Sequence, residues 1–168
     1  MKRFICLFLA FVLPVCYPNI ATANGCYQSF KGKVAYVTDG DTITVKTATN
    51  PKLSIRLAEI DAPETSHYGS EAQPYGNESR ALLSKLVLNK VVTLTPHAID
   101  PYGRTLATVE YKATNVNKYM VINGAAWTYD FFVIDHDIID LSVEAKVARL
   151  GLWADVNPIE PSQWRAEH

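Results

Sequence analysis

The chain has 168 residues, 16 Lys and Arg against 17 Asp and Glu, and a formal net charge of −1. Such a balance excludes nucleic-acid binding through a broad basic surface, which needs many Lys and Arg contacts to phosphates. Three cysteines and four scattered histidines likewise exclude a zinc pattern and a disulfide-stapled scaffold.

At the start of the chain, Lys2 and Arg3 precede an almost unbroken apolar run from Phe4 to Val15, and Ala21-Thr22-Ala23 supplies a small-x-small cleavage pattern. The run is shorter than the roughly 20 apolar residues that a membrane-spanning helix needs. The reading is a signal peptide over 1–23, removed before Asn24, and hence export to the periplasm or the exterior with no stable membrane anchor. Removal takes two basic residues and no acidic ones, leaving 145 residues at a formal net charge of −3. That length suits one domain, 24–168, burying roughly 68–70% of its unfolded surface. Cys6 and Cys16 leave with the signal, and Cys26 remains as a lone thiol.

The remaining elements follow from periodicity. Lys31 to Thr38 alternates as a strand, Asp39-Gly40 marks a hairpin, and Thr42 to Val45 alternates again. In a third strand Leu53, Ile55 and Leu57 share one face, so Arg56 points to the other. Asn77 to Asn89 predicts a helix with Leu82, Leu83, Leu86 and Val87 as its apolar stripe. Val91 to Thr95 and Leu106 to Tyr111 predict two more strands, separated by the Asp100-Pro101-Tyr102-Gly103 turn. Asn117 is placed as the cap of a short helix through Ile122, and Ile138 to Leu150 as a longer helix stopped by Gly151. Five short strands, with a helix between the third and fourth and further helices behind, predict an α+β fold. Its core is a five-stranded OB-type barrel with about three helices.

Three phrases carry chemistry: Asp39-Gly40-Asp41-Thr42, Arg56-Leu57-Ala58-Glu59-Ile60-Asp61-Ala62-Pro63-Glu64, and Asp100-Pro101-Tyr102-Gly103-Arg104. Carboxylates hold hard cations, guanidinium forks match phosphate oxygens, and one further carboxylate can act on a water. Together these suffice to hydrolyse a phosphodiester.

With Tyr75-Gly76 and the C-terminal Gly151-Leu152-Trp153-Ala154-Asp155, Asn157-Pro158-Ile159, Pro161 and Trp164-Arg165, the ordered series resembles the staphylococcal nuclease family of calcium-dependent nucleases. The likeness runs from about Val34 to the end of the chain. It implies Asp41 and Asp61 as Ca2+ carboxylates with the carbonyl of Ala62, and Glu64 as the group that orients or deprotonates water. It further implies Arg56 and Arg104 gripping the scissile phosphate, Tyr102 along the nucleotide site, and a monomer leaving 3′-phosphates on DNA and RNA.

Each residue also has a plainer reading. Asp39-Gly40-Asp41 alone is a hairpin turn, Arg56 a strand-face arginine in a surface ion pair, Arg104 a turn cap or partner of Asp100, and Glu59 a neighbouring surface charge. Trp127, Trp153 and Trp164 read as core or clamp residues. Two other functions are weighed beside the nuclease: a catalytically silent OB module binding nucleic acid or protein, and a structural docking piece. Neither needs Asp41, Arg56, Glu64 and Arg104 together.

Overall fold

Strand β1 (Phe30–Val37) alternates until an extra residue between Val34 and Tyr36 shifts its pairing with β2 (Thr42–Lys46). That bulge resets the alternation, so Val34 and Val37, three apart, both face the core. The computed structural model to which these strands belong describes residues 28–66, 71–129, 132 and 134–168. The expected signal peptide, Cys26 and residues 67–70 lie outside the described residues.

β2 pairs antiparallel with β3 (Leu53–Leu57), and β1 with β5 (Val91–Ile99), which pairs in turn with β6 (Thr105–Tyr111). A parallel pairing of β3 with β6 closes the five strands into a barrel. Ile43, Val45, Ile55, Leu57, Val92, Leu94, Ala107 and Val109 fill it, all at most 1% exposed. The outcome is the α+β, OB-type barrel expected from the sequence. β5 runs four residues past the expected end at Thr95. Pro96 lacks an N–H, but a register shift between Pro96 and Ala98 accommodates it.

Helix α1 (Gly76–Val87) closes the barrel with Leu83 and Val87, both fully buried. The β1–β2 turn rests on this helix. A Cβ at Gly40 would collide with Ser79 Oγ and come within 2.7 Å of Ala62 Cβ, so the glycine is required by close approach. Short strands β4 (Ile60–Asp61) and β8 (Trp127–Thr128) pair with each other, and β7 (Thr114–Asn115) pairs antiparallel with the end of β6.

Helix α2 (Val116–Ile122) is capped by Asn115, whose side chain accepts from Lys118 N, and not by Asn117. Asn117 instead lies fully buried inside the first turn. Its amide donates to Ala58 O and Ala107 O, at 2.8 and 3.2 Å, and accepts from Val109 N at 3.0 Å. α3 (Asp137–Val147) ends three residues before the expected Leu150, because Arg149 turns left-handed at φ 52°. A 3-10 turn (Gly151–Ala154) follows, and α4 (Pro161–Glu167) is a fourth helix beyond the three expected. Among the described residues no helix is long and apolar enough to cross a membrane.

Candidate active site

The barrel register assembles the floor of the site. Thr42 of β2 lies opposite Arg56 of β3, and Leu57 N donates to Asp41 O at 2.7 Å, so Asp41 sits beside the Arg56 side chain. Two residues beyond β3 the chain turns at Glu59 (φ 69°) and enters β4, which returns Asp61 to the same guanidinium.

Asp41 and Asp61 are 5% and 4% exposed. Asp41 accepts from Thr42 Oγ1 and from Ala62 N, both at 2.8 Å, and forms an ion pair with Arg56 Nη1. Arg56 Nη2 donates to Asp61 Oδ1 at 2.7 Å. Burial works against the Arg56 charge, but Asp41, Asp61 and Asp39 around it outweigh that and raise its pKa. The plainer reading of Arg56 as a surface pair therefore fails. Ala62 is buried beside them, its N–H held by Asp41.

Asp39, read from the sequence only as part of the turn, also lies in this cluster. Burial first, and then the charges of Asp41 and Glu64, push its carboxyl up to about 7.

The rim comes from loops and the C-terminal tail. The Glu64 backbone N–H donates to Gln73 Oε1 at 3.0 Å, and Gln73 Nε2 donates to Ile159 O at 2.7 Å. The buried Gln73 thus ties the Glu64 turn to the tail. From α4, Arg165 Nη1 donates to Glu64 Oε1 at 2.6 Å and to Asp61 Oδ1 at 3.3 Å, while Nη2 donates to Asp61 Oδ2 at 3.0 Å. Burial opposes its charge, yet the hydrogen bonds to Asp61 and Glu64 prevail and raise its pKa. In the sequence Arg165 stands out only as part of the Trp164-Arg165 phrase near the C-terminus. Its number of intervening residues, about a hundred, hides the contact, and the one available signal was an arginine in a Trp-Arg phrase after two prolines.

Arg104 is placed by its own turn. Asp100 Oδ1 accepts from Tyr102 N and Arg104 N, both at 2.9 Å, and Asp100 Oδ2 accepts from Arg104 Nε at 2.6 Å. Burial would raise the Asp100 pKa, but these bonds lower it overall. The arginine therefore does pair with Asp100, as its plainer reading held, while its guanidinium also lies 5.4 Å from the Tyr102 ring. Tyr102 is 84% exposed. Asp41, Arg56, Asp61, Glu64, Tyr102 and Arg104 all line one cleft of about 1040 Å³, with Arg165 at its edge.

Glu59 departs from expectation. It is buried, and its Oε1 accepts from Ile134 N and Asp135 N, both at 2.6 Å. It anchors the segment before α3 and is no surface charge. Trp127 and Trp153 pack edge to face at 4.4 Å, whereas Trp164 stacks on His168 at 3.7 Å. None of the three stands among the residues lining the cleft.

The donor set suits a hard cation: oxygen ligands, two of them nearly buried carboxylates, with no thiolate or imidazole among the groups just described. Among the described residues no three such side chains converge on one point. The guanidiniums of Arg56 and Arg165 lie between these carboxylates.

A closed OB-type barrel carrying carboxylates and arginines in one cleft has the groups that phosphodiester hydrolysis needs. Residues 54–155 match the family of staphylococcal nuclease homologues, and the chain belongs to that family. It is 44% identical over 135 residues to an "Uncharacterized endonuclease" of Haemophilus influenzae, covering 80% of this chain and 72% of that protein. It is 36% identical over 150 residues to a "Micrococcal nuclease" of Shigella flexneri, covering 83% and 82%, and 35% identical over 159 residues to "Protein ParB" of Escherichia coli, covering 88% and 86%. The chain is a phosphodiester-hydrolysing nuclease acting on nucleic acid.

Proposed function

We propose that this nuclease is calcium-dependent, cleaves DNA and RNA with little sequence preference, and leaves 3′-phosphates. The observation that carries the reading is the pairing of two nearly buried carboxylates, Asp41 and Asp61, with Arg56 on the cleft floor, and Glu64 at its rim. Asp41, Asp61 and the carbonyl of Ala62 are the groups that would hold calcium. A bound calcium would supply charge withdrawal from the phosphate and placement of a water.

The remaining work falls to the chain's own side chains. Glu64 accepts a proton from the attacking water as its oxygen bonds to phosphorus; the bond to the 5′ oxygen breaks, and that oxygen takes a proton from solvent to leave as a hydroxyl. Arg56 has five N–H donors; the pairs with Asp41 and Asp61 leave others for a non-bridging phosphate oxygen. Arg104, with part of its guanidinium held by Asp100, grips the phosphate from the opposite turn, where the developing charge rewards a fork over a single ammonium. Tyr102, exposed beside it, offers a ring face to a nucleotide.

We further propose that the protein acts as an exported monomer, in the periplasm or outside the cell; the basic and apolar start of the sequence supports that address. The test is digestion of plasmid DNA and of RNA by the purified 24–168 protein, in calcium and in chelator. Cleavage restored by calcium, with ends that polymerase extends only after phosphatase treatment, is the expected result. An unchanged rate in chelator removes the calcium assignment.

A further inference from the structure

Glu64 stands on a loop, 24% exposed at its side chain, and a loop carboxylate has many rotamers to choose among. Among the described residues, the side chain bonded to its carboxylate is Arg165. That guanidinium does not hang free. Pro161 is buried at the first turn of α4, and Gln73 bonds both the Glu64 backbone and Ile159 just ahead of the helix. The tail and the Glu64 turn are therefore seated on one another before Arg165 reaches the cleft.

The geometry points to Arg165 as a positioning residue that holds the Glu64 carboxylate at a fixed spacing from Asp61. One nitrogen, Nη1, reaches both Glu64 Oε1 and Asp61 Oδ1, and Nη2 takes the second oxygen of Asp61. A planar fork bridging two carboxylates fixes their separation and orientation more tightly than a lysine could. A group that takes a proton from water must be held within a few tenths of an ångström of its productive place. This inference rests on the reading of Glu64 as the water-handling group.

The experiment is steady-state cleavage of a defined DNA oligonucleotide in calcium by the parent, Arg165→Ala, Arg165→Lys, Glu64→Gln and the double variant Glu64→Gln/Arg165→Ala. Melting curves by circular dichroism check that each variant folds. Arg165→Ala should lower kcat by about 10–100-fold, the usual cost of losing an outer partner of a functional group. KM should change little, and Arg165→Lys should recover part of the loss. In the Glu64→Gln background the Arg165 substitution should cost nothing further, because its effect runs through Glu64. An Arg165→Ala enzyme as fast as the parent, or faster, overturns the proposal, the latter marking α4 as an inhibitory latch. An equal loss in both backgrounds also overturns it, assigning Arg165 a direct substrate contact. A Glu64→Gln enzyme as fast as the parent refutes instead the underlying role of Glu64.

Discussion

The floor and the rim of the cleft use the same pair of groups, guanidinium against carboxylate, in different surroundings. On the floor Arg56 lies between Asp41 and Asp61, on strands whose register is fixed by a buried core. At the rim Arg104 pairs with Asp100 inside one turn, and Arg165 reaches in from the last helix with 45% of its side chain exposed. Buried charges carry a desolvation cost that only a partner offsets, whereas exposed pairs are screened and individually weak. The floor should thus be bound up with folding, and the rim with catalysis alone.

Removing Arg56 is the strongest way to test that division. Arg56→Ala leaves two nearly buried carboxylates without their cation and is expected to cost about 3–5 kcal/mol of stability, as well as cleavage. Urea denaturation followed by circular dichroism measures it; a loss like that of an exposed pair would erase the distinction. Asn117→Ala, below the floor, removes one side chain that bonds Ala58, Ala107 and Val109. An expected loss of about 1–3 kcal/mol for the groups left unsatisfied is readable in the same denaturation curve. Arg104→Ala should slow cleavage clearly while changing stability by no more than about 1 kcal/mol, since its ion pair is partly exposed. A large fall in melting temperature there would make the rim structural too. The smallest effect concerns salt. If Arg56 and Arg104 alone meet the phosphates, the log–log slope of binding on salt should be roughly −2, from the contribution of about −0.9 per neutralised phosphate. A much steeper slope would mean a basic surface beyond the cleft.

The floor was legible in the sequence because its causes are local. Alternation in Leu53 to Leu57 put Arg56 opposite the core-facing side chains, and the Asp-Gly-Asp turn and the Ile-Asp-x-Pro-Glu phrase each lie within a few residues of their strand. Arg104 was legible for the same reason, being held by its own Asp100. What escaped the reading depends on contacts across the chain. Arg165 meets Asp61 and Glu64 from the far end of the sequence, through a seven-residue helix too short for periodicity to announce. Glu59 looked like a surface charge because nothing near it in sequence shows the two backbone N–H groups at Ile134 and Asp135 that it serves. Asn117 suits a cap locally, as Asn before an apolar turn, but Asn115 two residues earlier takes that role. Gly40 has the local signature of a turn residue, whereas the need for it comes from α1 packing against the turn.

The most direct measurement is the single-turnover cleavage rate of a labelled DNA oligonucleotide as calcium is raised, for the parent protein and for Glu64→Ala. A positioned general base typically contributes about 10²–10⁴-fold. The parent rate should climb and saturate with calcium, and the Glu64→Ala rate should be lower by about that factor at saturation with folding intact. Equal rates for the two proteins at saturating calcium would contradict it.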